Sequence, residues 1–149
     1  MRKHTALMAL AFTFSLIIWI QLVTTQVGAN GIPADVDITP DALLLKEGGC
    51  GTWITAHIGL PKGYDVSNID VSSVTLKVNG NNVSASMCKI QGKKLMVKFD
   101  RATVIELLRS IIGHMSPRVK QDVTLAVIGK YNGDVFGGTD TIRVFYTQL

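Results

Sequence analysis

The chain has 149 residues, a formal charge of +4, 47% hydrophobic and 17% charged residues, and two cysteines. That length holds one domain and at most an appendage, and the charged fraction is low for a soluble domain. Setting aside Arg2 and Lys3 lowers the charge to +2. With no basic run longer than Lys93-Lys94, nucleic acid is excluded as a partner.

The apolar excess lies at the start. Between Met1 and Ala29 the only charges are Arg2 and Lys3, beside His4, and Ala6–Val23 is apolar except for Thr13, Ser15 and Gln21. A basic start, an apolar middle and small residues near a cut site make a secretory signal. Val27-Gly28-Ala29 predicts cleavage between Ala29 and Asn30. The alternative is an uncleaved membrane anchor, because the apolar run as a helix spans about 27 Å against a hydrocarbon core of about 30 Å. Either outcome leaves the basic end in the cytoplasm and the rest outside, secreted or at the cell surface. Residues 1–29 are then the signal peptide or anchor, 30–34 a linker, and 35–149 the domain. In an exported chain, Cys50 and Cys88 read first as a disulfide, and otherwise as two free buried thiols. Closing a loop of about 39 residues would stabilise the fold by roughly 4 kcal/mol. Their separation excludes a CxxC redox motif.

From Asn30 onward the hydrophobic period becomes two. Asp35–Thr39 and Leu43–Lys46 predict short edge strands separated by a turn at Pro40-Asp41. Gly48-Gly49-Cys50-Gly51 is a flexible turn. Trp53–Leu60 places Ile54, Ala56, Ile58 and Leu60 on one face and Thr55, His57 and Gly59 on the other. Ser72–Val78 points Val74, Leu76 and Val78 inward. Asn79-Gly80-Asn81-Asn82 is a hairpin turn, because Asn and Gly tolerate positive φ. Val83, Ala85 and Met87 are expected to form its return strand. After Gln91-Gly92, Lys94–Phe99 points Leu95, Val97 and Phe99 inward.

One helix is expected over about 101–112. Asp100 is its N-cap, Val104, Leu107, Leu108 and Ile111 recur at helical spacing, and Gly113 and Pro117 end it. Asp122–Gly129 buries Val123, Leu125 and Val127. After the Tyr131-Asn132-Gly133-Asp134 turn, Thr139–Tyr146 buries Ile142, Val144 and Tyr146. About seven short strands with regularly spaced turns predict a β-sandwich with a single helix.

Three stretches carry a resemblance: Trp53–Val71 (WITAHIGLPKGYDVSNIDV), Leu95–Leu108 (LMVKFDRATVIELL), and Val123–Gly129 (VTLAVIG) with Gly138–Val144 (GTDTIRV). In that order the chain resembles an immunoglobulin-like β-sandwich module of archaeal and bacterial secreted and cell-surface proteins. The resemblance covers nearly all of Asp35–Val144 and implies a fold and a compartment, with no agreed activity. Relatives of that module carry an Asp- and Gly-rich insert, like a calcium-binding loop, before the strand matching Leu95–Phe99. Here that place reads Met87-Cys88-Lys89-Ile90-Gln91-Gly92-Lys93-Lys94. Three lysines and no carboxylate do not suit Ca²⁺, which takes several oxygen ligands, so no metal site is carried over. A disulfide at Cys88 would replace the metal as the local staple.

No catalytic constellation emerges, no cofactor is implied, and the chain is not expected to be an enzyme. His57 sits opposite the core face of its strand. His114 follows a helix end, where a cation suits the dipole. Joining both to Cys50 and Cys88 as zinc ligands would draw four residues from separate elements. No Ser lies in a G-x-S-x-G elbow. Gly48-Gly49 and Gly137-Gly138 read as turn glycines, and Asp100-Arg101 as a cap beside a solvated or ion-paired arginine. Asn82-Val83-Ser84 fits the N-glycosylation pattern at a hairpin edge. Trp53, Tyr64, Tyr131, Phe136, Phe145 and Tyr146 are candidates for a carbohydrate platform, although aromatics in strands more often face a core.

The expected role is structural, adhesive or protein-interacting. Partners or further copies would add at the strand edges Asp35–Thr39 and Thr139–Tyr146. The alternatives are a pilus-like filament subunit, assembling through its N-terminal segment or donating Ile32–Thr39, and a carbohydrate-binding module with cell-wall contact. The membrane enters only through an uncleaved N-terminal segment.

Overall fold

The computed structural model describes residues 31–45, 51–112 and 119–146. The expected signal or anchor, its cleavage site at Ala29 and Asn30, Cys50 and His114 lie outside them. The described chain is mostly β, with two sheets and one α-helix, as the alternating stretches predict. Its strands are β1 (Ile32–Pro33), β2 (Asp35–Thr39), β3 (Ala42–Leu44), β4 (Trp53–Gly59), β5 (Ile69–Val78), β6 (Asn81–Ser84), β7 (Met87–Gln91), β8 (Lys94–Asp100), β9 (Val119–Tyr131) and β10 (Asp134–Tyr146). Helix α1 (Arg101–Ile112) follows β8 directly. One sheet has the order β1-β10-β9-β5-β6, with β3 also paired to β10; the other has the order β2-β4-β8-β7.

Alternating apolar residues supply one core shared by both sheets. Ile54, Ala56 and Ile58 of β4, Leu95, Val97 and Phe99 of β8, and Val74, Leu76 and Val78 of β5 are at most 1% exposed. Leu125 and Val127 of β9 and Ile142 and Val144 of β10 complete it from the same sheet as β5. Val123 and Tyr146 are only partly buried. Helix α1 begins where Asp100 Oδ2 accepts from the Thr103 backbone N–H (3.0 Å) and hydroxyl (2.7 Å). These bonds satisfy one of the N–H groups that a helix start leaves unpaired. The helix packs against β4, β5, β6 and β8, strands of both sheets. It buries Val104, Ile105, Leu108 and Ile112, while Leu107 and Ile111 stay partly exposed.

Two hairpin turns follow from Asn-Gly pairs in the left-handed region, Asn79-Gly80 (φ 48° and 81°) and Asn132-Gly133 (φ 48° and 87°). Positive φ at both central positions is the primed turn whose twist matches paired strands.

Several expectations are corrected. Val83–Met87 does not form a single return strand. Ala85 N–H still donates to Val74 O (3.3 Å), but Ser86 N–H donates to Lys98 O (2.8 Å) in the other sheet. The chain therefore changes sheets between β6 and β7, and Met87 ends 49% exposed. The two strands on either side of Pro40-Asp41, β2 and β3, belong to different sheets. Ile32–Pro33, within the expected linker, pairs in parallel with Phe136 and Gly137. Gly137 and Gly138 are not turn glycines but lie inside β10. A Cβ at Gly138 would stand 2.3 Å from Ala34 O and 2.6 Å from Val36 Cγ2. The missing side chain is what lets the β1–β2 segment cross over β10. Gly129 does similar work on the ladder, where a Cβ would come within 2.6 Å of the ring of Phe136, its cross-strand partner.

Candidate functional site

Sheet edges are where a β fold offers unpaired backbone to a partner. Strand β2 ends the four-stranded sheet, but its free side is closed. Ile38 N–H donates to Asp140 Oδ2 at 2.7 Å, and β10 of the other sheet packs along it. Asp35 and Asp37 add exposed charge, and Lys94 Nζ reaches Asp35 Oδ2 (3.5 Å) over the side-chain-free Gly59. Thr139–Tyr146, expected to be an edge, is interior. It pairs with β9 along its length and with β3 at Arg143–Phe145, while Asp140 is tied to β2. A side-chain contact between residues 102 positions apart closes this flank, which period-two reading of single strands does not reveal.

Strand β7 is different. Among the described residues no strand pairs with its outer side. Gln91 and Lys94 face each other across Gly92-Lys93, with Gly92 at φ 61°. Residues flanking a two-residue turn form a hydrogen-bonded pair, and antiparallel ladders alternate from there. Lys89 and Met96 are then the next such pair, and the N–H and C=O of Cys88 and Ile90 point away from β8. The same alternation, carried across Leu95–Ile58 and His57–Asp37, turns Ile38 outward on β2. That is where Asp140 meets it, so the parity is consistent across the sheet. Ser86 and Met87 both face Lys98, the pattern of a β-bulge at an edge.

The side chains of this edge are both apolar and basic. Met87 and Ile90 are each 49% exposed. Between Met87 and Phe99 stand Lys89, Lys93, Lys94 and Lys98 with no carboxylate. The outer face of the sheet therefore grades from Asp35 and Asp37 on β2 to lysines on β7 and β8. The run of lysines was legible in the sequence, but its place on an open edge was not.

The other candidates fall elsewhere. Cys88 is a free thiol in the structure, and Cys50, its expected partner, lies outside the described residues. Its side chain packs on the core side, and burial pushes the thiol up from its ordinary pKa, which favours the unreactive neutral form. His57 lies on the outer face of β4, half-buried, paired in register with Asp37. Among the described residues no three His, Cys, Asp or Glu side chains gather as metal ligands. Asp100 is held below the usual carboxylate range by its two bonds from Thr103. The neighbouring Arg101 is half-buried, and its Nε is buried without a hydrogen-bond partner among the described residues.

The aromatic residues do not make one platform. Phe136 is fully buried and Tyr131 nearly so. Trp53 lies on β4, and Phe145, with Lys120 Nζ 5.9 Å from its ring centroid, lies on β10 of the other sheet. Tyr64 and Tyr131 stack edge to face at 5.3 Å. The Tyr131 hydroxyl accepts from Asp65 N–H (3.2 Å) and Asn68 Nδ2 (3.3 Å), fixing the loop that precedes β5. In that loop Asp65 caps a 3-10 turn at Val66–Asn68, and bonds from Ser67 lower its pKa. Asn82 is exposed on the edge strand β6, beside inward-facing Val83. No protein-family model, curated protein or solved structure matches the chain.

Proposed function

We propose that this chain is a non-catalytic, extracytoplasmic module of the immunoglobulin-like β-sandwich type, acting at the cell surface by taking an extended segment of a partner protein onto β7. The observation that carries this reading is the open β7 edge, with exposed Met87 and Ile90 and outward backbone groups at Cys88 and Ile90. A strand added there would gain main-chain hydrogen bonds, with side-chain alternation setting specificity. Carboxylates would face Lys89 on the outer side, with Lys98 one strand further in beside Met87, and apolar residues would meet Ile90 on the inner side. The partner segment is therefore acidic on one face and apolar on the other. The same lysines disfavour pairing of two β7 edges, because like charges placed opposite each other destabilise a ladder.

The basic-then-apolar start supports export, and the motifs LPKGYDV, MVKFDR and TDTIRV support the module type. The shifted carboxylates, Asp65 and Asp100, are each explained by a cap, and the shifted thiol by burial. The strand that filament donation would use is already paired, β1 with β10 and β2 with β4.

Photo-crosslinking in intact producing cells tests the reading. A crosslinker at Ile90 should trap one partner segment, and one at Val135, an exposed apolar position on β10, should not. Lys89→Glu with Lys98→Glu should abolish the adduct. Equal trapping at both positions, or trapping indifferent to the charge reversal, would refute strand addition at β7.

A further inference from the structure

We infer that Asn82 is a site of N-linked glycosylation. No other asparagine of the chain has Ser or Thr two residues after it. The fold then presents this one for modification. Asn82 and Ser84 lie two apart on β6, so both side chains leave the outer face while Val83 turns into the core at 5% exposure. Strand β6 ends its sheet, and among the described residues no strand lies beyond it. Asn82 follows the tight Asn79-Gly80 turn by two residues and faces Lys77 across the ladder. Among the described residues no hydrogen bond engages its amide, whereas the Asn68 amide is held by Tyr131. A glycan here would meet solvent on the outer face without disturbing the core.

The step is a group transfer from a lipid-linked oligosaccharide, the donor class of membrane-bound N-linked transferases. Asn82 Nδ2 attacks C1 of the donor's first sugar. The new N–C1 bond forms as the C1–O bond to the lipid phosphate breaks, the phosphate leaves with the bonding pair, and one amide proton goes to solvent. No oxidant or reductant enters. A sugar chain on β6 would also shield the one edge of the larger sheet that neither β1 nor β3 covers, a protection that edge strands need against unwanted pairing.

The inference rests on export, and the experiment separates the two. The full chain is produced in a host with an N-linked transferase, and both its N-terminus and its tryptic peptide Val78–Lys89 are read by mass spectrometry. The expected result is an exported protein whose peptide carries a saccharide mass increment. Asn82→Gln and Ser84→Ala should each abolish the increment, and Ser84→Thr should retain it. An exported protein whose peptide keeps its unmodified mass overturns the glycosylation site while leaving export standing. A chain confined to the cytosol with its first 29 residues intact overturns both.

Discussion

Replacing Gly138 by alanine tests how the two sheets are stitched together on their closed flank. The added Cβ would stand 2.3 Å from Ala34 O and 2.6 Å from Val36 Cγ2. The first is a backbone atom, so no rotamer change relieves it, and the β1–β2 segment must move by about 1 Å. Overpacking of this kind costs roughly 1–3 kcal/mol. The movement also pulls on the Ala34 N–H to Gly137 O bond (2.8 Å), worth about 1 kcal/mol. The total is roughly 2–4 kcal/mol, and a domain of this size loses about 4 °C of Tm per kcal/mol, so the melting point should fall by about 8–16 °C. Gly59→Ala is the internal control. Its Cβ would meet nothing closer than 3.7 Å, at an ordinary φ, and should change stability by less than about 0.5 kcal/mol. Thermal unfolding followed by circular dichroism reads both variants. If Gly138→Ala melts with Gly59→Ala, the crossing of β1–β2 over β10 is wrong.

Asp100→Ala removes the cap of α1 and should cost about 1 kcal/mol at neutral pH, read by urea unfolding. Because Asp100 titrates below its unfolded value, its contribution is present above about pH 4 and lost as pH falls through the folded pKa. The stability difference between Asp100→Ala and the parent should therefore shrink in acid, and a gap that persists at pH 2 would contradict the capping role. Tyr131→Phe keeps the ring contact with Tyr64 but deletes the acceptor for Asp65 N–H and Asn68 Nδ2. About 1 kcal/mol should be lost, with faster amide exchange at Asp65.

The fold was legible wherever local chemistry decides structure. Strict alternation set the inward faces of β4, β5 and β8, the Asn-Gly pairs set two hairpins, and Asp100 set the start of α1. Sequence reading failed wherever the chain changes sheets. Ala34, Pro40-Asp41 and Ser86 are crossings whose reason is contact with distant residues, such as Gly138 for the first and Lys98 for the last. The helix stripe was read slightly off, because Ile105 and Ile112 are buried while Leu107 and Ile111 pack only partly against the core. The candidate site was half legible. Lysines without carboxylates between Met87 and Phe99 are visible in one line of sequence. Which edges stay open depends on Asp140 reaching Ile38, a tertiary event with no local signal.

Amide hydrogen exchange on the free protein, resolved by residue, tests the contrast between the two edges of the four-stranded sheet most directly. Ile38 N–H, held by Asp140, should be protected, while Cys88 and Ile90 N–H should exchange far faster than their neighbours Lys89 and Gln91, which point into the ladder. Protection at Cys88 and Ile90 in the free protein, with rapid exchange at Ile38, would contradict the account of an open β7 and a closed β2.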